Sequence, residues 1–147
     1  MMRLSYRLVL TPILLTILLF FGACNKNKGD DSRPIKEIMT KVNDGPQSLN
    51  TLLGQELAVD SPDWPTIQQQ TRELAQLTAS LSEYTPPKGS KESWARLTSA
   101  YAESAASLDK AAQAKDKNTA VAAHKEIGKM CMGCHREHRT MGGPGGK

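Results

Sequence analysis

The 147 residues are enough for one domain. About 23% are charged and 5% aromatic, Ala, Leu, Gln, Lys and Glu are common, and β-branched runs are rare beyond the N-terminus. This balance favours helices packed on small side chains and argues against a sheet. The net charge of +4 comes with no basic cluster interleaved with aromatics, so nucleic-acid binding has no support.

The N-terminus reads as a targeting segment. Arg3 and Arg7 precede an apolar run over residues 8–21, and Gly22-Ala23-Cys24 follows. A basic start, an apolar centre and small residues before a cut site describe a secretory signal peptide over residues 1–23. The run is short for a membrane span, which needs about 20 apolar residues. Cys24 after Gly22-Ala23 resembles a bacterial lipobox, which implies a lipid on Cys24 and a membrane anchor. An ordinary signal peptide cut nearby would instead leave Cys24 a spare thiol. Asn25 rather than Asp follows, so the familiar inner-membrane retention signal is missing. The expectation is a periplasmic protein tethered to a membrane, the outer one favoured, through a polar segment at residues 24–31. Loss of Arg3 and Arg7 with the signal lowers the net charge from +4 to +2.

Four amphipathic segments follow. In the first, Ser32 and Pro34 mark a helix start, and Ile35, Ile38, Met39 and Val42 share a face. Gly45-Pro46 kinks or breaks it, because Pro has no backbone N–H to donate. Leu49, Leu52, Leu53 and Leu57 then resume the apolar face. Ser61-Pro62-Asp63-Trp64-Pro65 starts the second segment, striped by Ile67, Leu74, Leu77 and Leu81 and ending before Thr85-Pro86-Pro87. Ser90 caps the third, whose Trp94, Leu97, Tyr101, Ala105, Leu108 and Ala112 form a seam. The fourth begins near residues 116–118 and carries Ala120, His124, Ile127, Cys131, Cys134 and His138 in the same rhythm. A Gly-rich tail, expected to be disordered, occupies residues 141–147. The expected fold is all-α over residues 32–140, an antiparallel four-helix bundle with a kinked or broken first helix.

Cys131-Met132-Gly133-Cys134-His135 is the attachment signature of a covalent c-type haem. The porphyrin's two vinyl groups lie on adjacent pyrroles. Two thiols three residues apart on a helical turn reach both, and the next residue, His135, offers its imidazole to the iron as proximal ligand. Gly133 keeps the turn slender. Other readings of the pair meet obstacles. A redox Cys-x-x-Cys needs a βαβ frame. A zinc site built from Cys131, Cys134, His135 and His138 would draw every ligand from about two helical turns, whereas structural zinc usually takes pairs from separated segments. A vicinal pair without a cofactor is the plain alternative.

Only twelve residues follow His135, so no long chain can wrap around the haem from that side. A motif at the end of the last helix of a bundle resembles class II c-type cytochromes, the cytochrome c′ and c556 group. Residues 131–139 look like that group's C-x-x-C-H-x-x-aromatic-Arg ending, with His138 at the usual aromatic position, and Pro34-Ile-Lys-Glu-Ile-Met39 looks like the start of its first helix. The resemblance covers residues 32–140. It implies one covalent haem c, a distal residue from the first helix, and Arg139 as a partner for a haem propionate. Met39 is the only Met of the first segment, and its thioether would suit the sixth iron position. As an alternative, Met39 is simply core, and Ile38 or Val42 leaves an open apolar pocket. Met130, Met132 and Met141 lie beside the proximal attachment, and His124 reads as core or partly exposed.

These readings point to an exported electron carrier that serves periplasmic redox proteins. No acid–base or nucleophile constellation lies beside the motif, so an enzyme is not expected. The alternative is a five-coordinate haem that binds nitric oxide or carbon monoxide, as in cytochrome c′. Class II relatives are often dimers through their first two helices, a region that here contains the Gly45-Pro46 break.

Overall fold

A computed structural model describes residues 32–140. The expected signal peptide over residues 1–23, Cys24, the rest of the expected tether to residue 31 and the Gly-rich tail at residues 141–147 lie outside the described residues. Five helices follow in order: α1 (Ser32–Asn43), α2 (Leu49–Ala58), α3 (Trp64–Ser80), α4 (Lys91–Gln113) and α5 (Lys117–His138). A 3-10 turn, Leu81–Glu83, extends α3. No strand occurs among the described residues, and none of their helices is long and apolar enough to cross a membrane.

The first segment is fully broken rather than kinked. Gly45 adopts φ +84°, a left-handed conformation that glycine enters without a Cβ penalty. Its carbonyl accepts from the Ser48 backbone N–H and the Thr51 hydroxyl, each at 3.2 Å. Pro46 occupies the break, where its missing N–H leaves no helical bond unmade. The starts of α4 and α5 follow the capping chemistry of the sequence, whereas Ser48 before α2 and Asp63 before α3 make no side-chain cap bond. Ser90 Oγ accepts from the Ser93 N–H at 3.1 Å, and Asp116 Oδ1 from the Thr119 N–H at 3.1 Å. Helix α4 ends with Lys115 at φ 55°, its N–H donating to the Ala112 carbonyl while the Asp116 N–H reaches that of Ala111.

Helix α4 packs along both α3 and α5, while α2 touches both α3 and α5 and so completes the ring. Helix α1 lies against α2 and α3. The core within this ring holds Leu53, Ile67, Leu74, Leu108 and Ile127, each contributing roughly 1.5–3 kcal/mol by burial. Three polar residues interrupt the expected apolar stripes. Thr71 and Thr78 sit in the α3 stripe and Thr98 in the α4 seam, all buried. Each hydroxyl finds an acceptor: Asp109 Oδ1 at 2.8 Å for Thr71, the Ala75 carbonyl at 3.1 Å for Thr78 and the Trp94 carbonyl at 2.9 Å for Thr98.

Candidate cofactor site

Helix α1 has two working faces. Ile38 and Val42 are buried in the core. Ile35, Met39 and Asn43, at i, i+4 and i+8, instead line a cavity of about 450 Å³. The alternative in which Ile38 or Val42 leaves an open apolar pocket in place of Met39 is therefore corrected: neither lines this cavity, and the apolar neighbour of Met39 there is Ile35. The helical turn explains the outcome: at about 100° per residue, Ile35, Met39 and Asn43 drift to one side of the apolar stripe, while Ile38 and Val42 fall on its other side.

The facing wall is the end of α5. Cys131, Cys134, His135 and His138 all line the cavity, joined at its rim by Arg139. Trp94, Leu97 and Tyr101 of α4 form the floor between the walls. The five residues expected at a haem site in the described region, Met39, Cys131, Cys134, His135 and Arg139, thus border a single cavity. Both cysteines are free thiols and half-buried. Its volume falls within the ~300–1,000 Å³ of small-molecule sites. The lining is largely apolar, with charged groups such as Lys36 and Arg139 at the edge. Two thiols, an imidazole and a thioether around an apolar slot suit a covalent haem.

Burial raises the Cys134 thiol above its usual range, and the neighbouring Cys131 and Glu137 add to the shift. Burial lowers the His135 imidazole, and Arg139 lowers it further. Both favour neutral imidazole, the form that ligates metals. Tyr101 is pushed up to about 12, chiefly by burial; the Asn50 hydrogen bond opposes the shift, while Cys131 and Cys134 add to it.

Polar contacts that sequence reasoning missed frame the site. Asn43 Nδ2 donates to Cys131 Sγ at 3.4 Å, so the end of α1 is tied to the first cysteine. Asn50 Nδ2 donates to Asn43 Oδ1 at 2.9 Å and to the Tyr101 hydroxyl at 3.4 Å. His124 lies behind this group, half-buried, with Nε2 donating to the Asn50 carbonyl at 3.0 Å. The i+4 spacing of Asn43 from Met39 was the available signal. Met130 also lines the cavity, and its sulfur accepts from Ser104 Oγ at 3.4 Å.

His138 is 2% exposed and held at both nitrogens. A carbonyl only accepts, so Nδ1 donates to the Lys88 carbonyl at 2.8 Å. Nε2 then accepts from Ser93 Oγ at 2.8 Å. The ring meets Trp94 edge-on, centroids 5.2 Å apart. It thereby pins the α3–α4 connection to the end of α5 and forms one end of the cavity. Both His138 nitrogens are engaged in these bonds, and a zinc ligand would have to release one of them. Among the described residues, no three His, Cys, Asp or Glu side chains form a metal-binding group.

Comparison with protein-family models, curated proteins and solved structures finds no match to this chain.

Proposed function

We propose that this protein is an exported c-type cytochrome, similar to the class II group, that carries one covalent haem and transfers electrons in the periplasm. The observation that carries the reading is the single cavity bordered by Cys131, Cys134 and His135 on one wall and Met39 on another. Cys131 and Cys134 would hold the haem by thioethers, His135 would supply the proximal nitrogen and Met39 the distal sulfur. Arg139, at the cavity rim, would pair with a propionate. Bound there, haem would supply reversible one-electron chemistry. The chain's own residues orient the group, keep His135 neutral and exclude water with Trp94, Leu97 and Ile35.

We also read α1 and α2 as one broken element, which makes the fold an antiparallel four-helix bundle. The three-residue link between α4 and α5 and the closure of the ring by α2 against α5 support this arrangement. The export signal and the lipobox at Cys24 support a lipid-tethered periplasmic location.

The competing reading is a five-coordinate haem that binds nitric oxide or carbon monoxide, favoured by Ile35 standing beside Met39 on the same wall. The optical spectrum of the reduced protein, made with the c-haem maturation machinery, separates the two. A low-spin spectrum indifferent to carbon monoxide, converted to high spin by Met39→Ala, is the expected result. A high-spin spectrum that shifts with carbon monoxide would remove Met39 as a ligand and favour gas binding.

A further inference from the structure

The outer face of α5 carries a feature that the cavity does not use. Lys125, Lys129, Met132 and Arg136 follow at spacings of four, three and four, which aligns them along one stripe of the helix. All four are exposed. Met132 is 75% exposed; among the described residues the other exposed large hydrophobic is Val59, at 47%. Met132 does not line the cavity, although Cys131 and Cys134 on the same turn do. The stripe therefore crosses directly over the turn that the proposed function assigns to haem attachment.

Two further facts set this face apart. A Cβ built on Gly128 or Gly133 meets no atom within 4 Å, so packing within the described chain requires glycine at neither. Glycine is nevertheless the poorest helix former after proline, and here it leaves a flat surface on both sides of Met132. The charges are also unequal. Glu126, 2.6 Å from Lys129, and Glu137 stand against Lys125, Lys129, Arg136 and, at the cavity rim, Arg139. Arg136 complements the negative end of the helix dipole, but that effect is confined to the last turn and does not account for Lys125 or Lys129.

We propose that this face docks an electron-transfer protein that presents carboxylates around its own redox centre. The proposal rests on the reading of residues 131–135 as a haem site. A small apolar centre ringed by charge is the anatomy of a transient protein interface, and a flexible thioether adapts to the opposing surface. Opposite charge speeds encounter more than it strengthens the complex. A helix lying on a membrane would show a row of large apolar residues, where this stripe has one. In the exchange one electron leaves this protein and reduces the oxidised centre of its partner; no bond forms or breaks.

The test is stopped-flow oxidation of the reduced, haem-loaded protein by a purified blue-copper protein with an acidic patch. Raising ionic strength from about 10 to 200 mM should slow the wild-type reaction roughly tenfold or more. The triple variant Lys125→Gln/Lys129→Gln/Arg136→Gln should react near the wild-type high-salt rate and lose most of the salt dependence. Met132→Ser should react more slowly at every salt concentration. Oxidation by a neutral quinone should be the same for all variants, showing that their redox centres are intact. Equal rates for the wild type and the triple variant with the copper protein would overturn the docking face and leave the haem reading standing. So would binding to anionic phospholipid vesicles that the triple variant loses while its copper-protein rate stays unchanged. Absence of a haem spectrum before mixing would overturn both readings.

Discussion

A Cβ added to Gly89 would lie 2.7 Å from His138 Nδ1, so the α3–α4 connection and the end of α5 meet only because residue 89 has no side chain. Gly89 also sits at φ +82°. Gly45, at φ +84°, has nothing within 4 Å of the same position. The pair separates backbone strain from steric contact. Gly45→Ala should cost about 1–2 kcal/mol, the left-handed penalty alone. Gly89→Ala should cost clearly more, with the excess measuring displacement of the His138 ring. Urea unfolding of both variants decides it, and equal losses would show that the ring yields freely.

Helix α4 ends on a lysine where glycine is the usual residue. Lys115 holds φ 55°. Replacing it with Gly relieves a Cβ strain of about 1–2 kcal/mol but adds unfolded-state entropy of about 0.5–1 kcal/mol. Lys115→Gly should therefore raise stability by up to about 1.5 kcal/mol, read as a higher urea midpoint at unchanged slope. A lower midpoint would contradict this account of the helix end.

Much of the architecture is legible in the sequence because its breakers are chemically unambiguous. Gly45-Pro46, Pro62 with Pro65, and Ser90 each mark an element boundary. The site is legible for a different reason: Cys131, Cys134 and His135 must be close in sequence to share a helical turn, so their geometry is written locally. What lies across the cavity is less readable. Ile35, Ile38, Met39 and Val42 form one apolar stripe in the sequence, and only packing divides them between core and cavity. The threonines at 71, 78 and 98 look polar in a helical pattern, yet they are buried because the backbone or Asp109 satisfies each hydroxyl. The contacts of Asn43 with Cys131 and of Ser93 with His138 join residues 88 and 45 positions apart, a separation that periodicity cannot bridge.

Tyr101 makes stability depend on alkaline pH. Its folded pKa is raised to about 12, against about 10 in the unfolded chain. The neutral phenol is the form the fold favours, so its contribution is complete below pH 10 and is lost as pH rises through 12. The loss is on the order of 2 kcal/mol. Urea midpoints of the wild type should fall over that interval more steeply than those of Tyr101→Phe. Parallel curves would mean that the phenolate is accommodated.

The intact mass of the denatured protein tests the proposed covalent haem most directly. Produced with the c-haem maturation machinery, the chain should carry the mass of one haem, which survives acid–organic extraction and is absent from Cys131→Ala/Cys134→Ala. A chain that emerges at its polypeptide mass, with both thiols free to alkylate, would contradict the account.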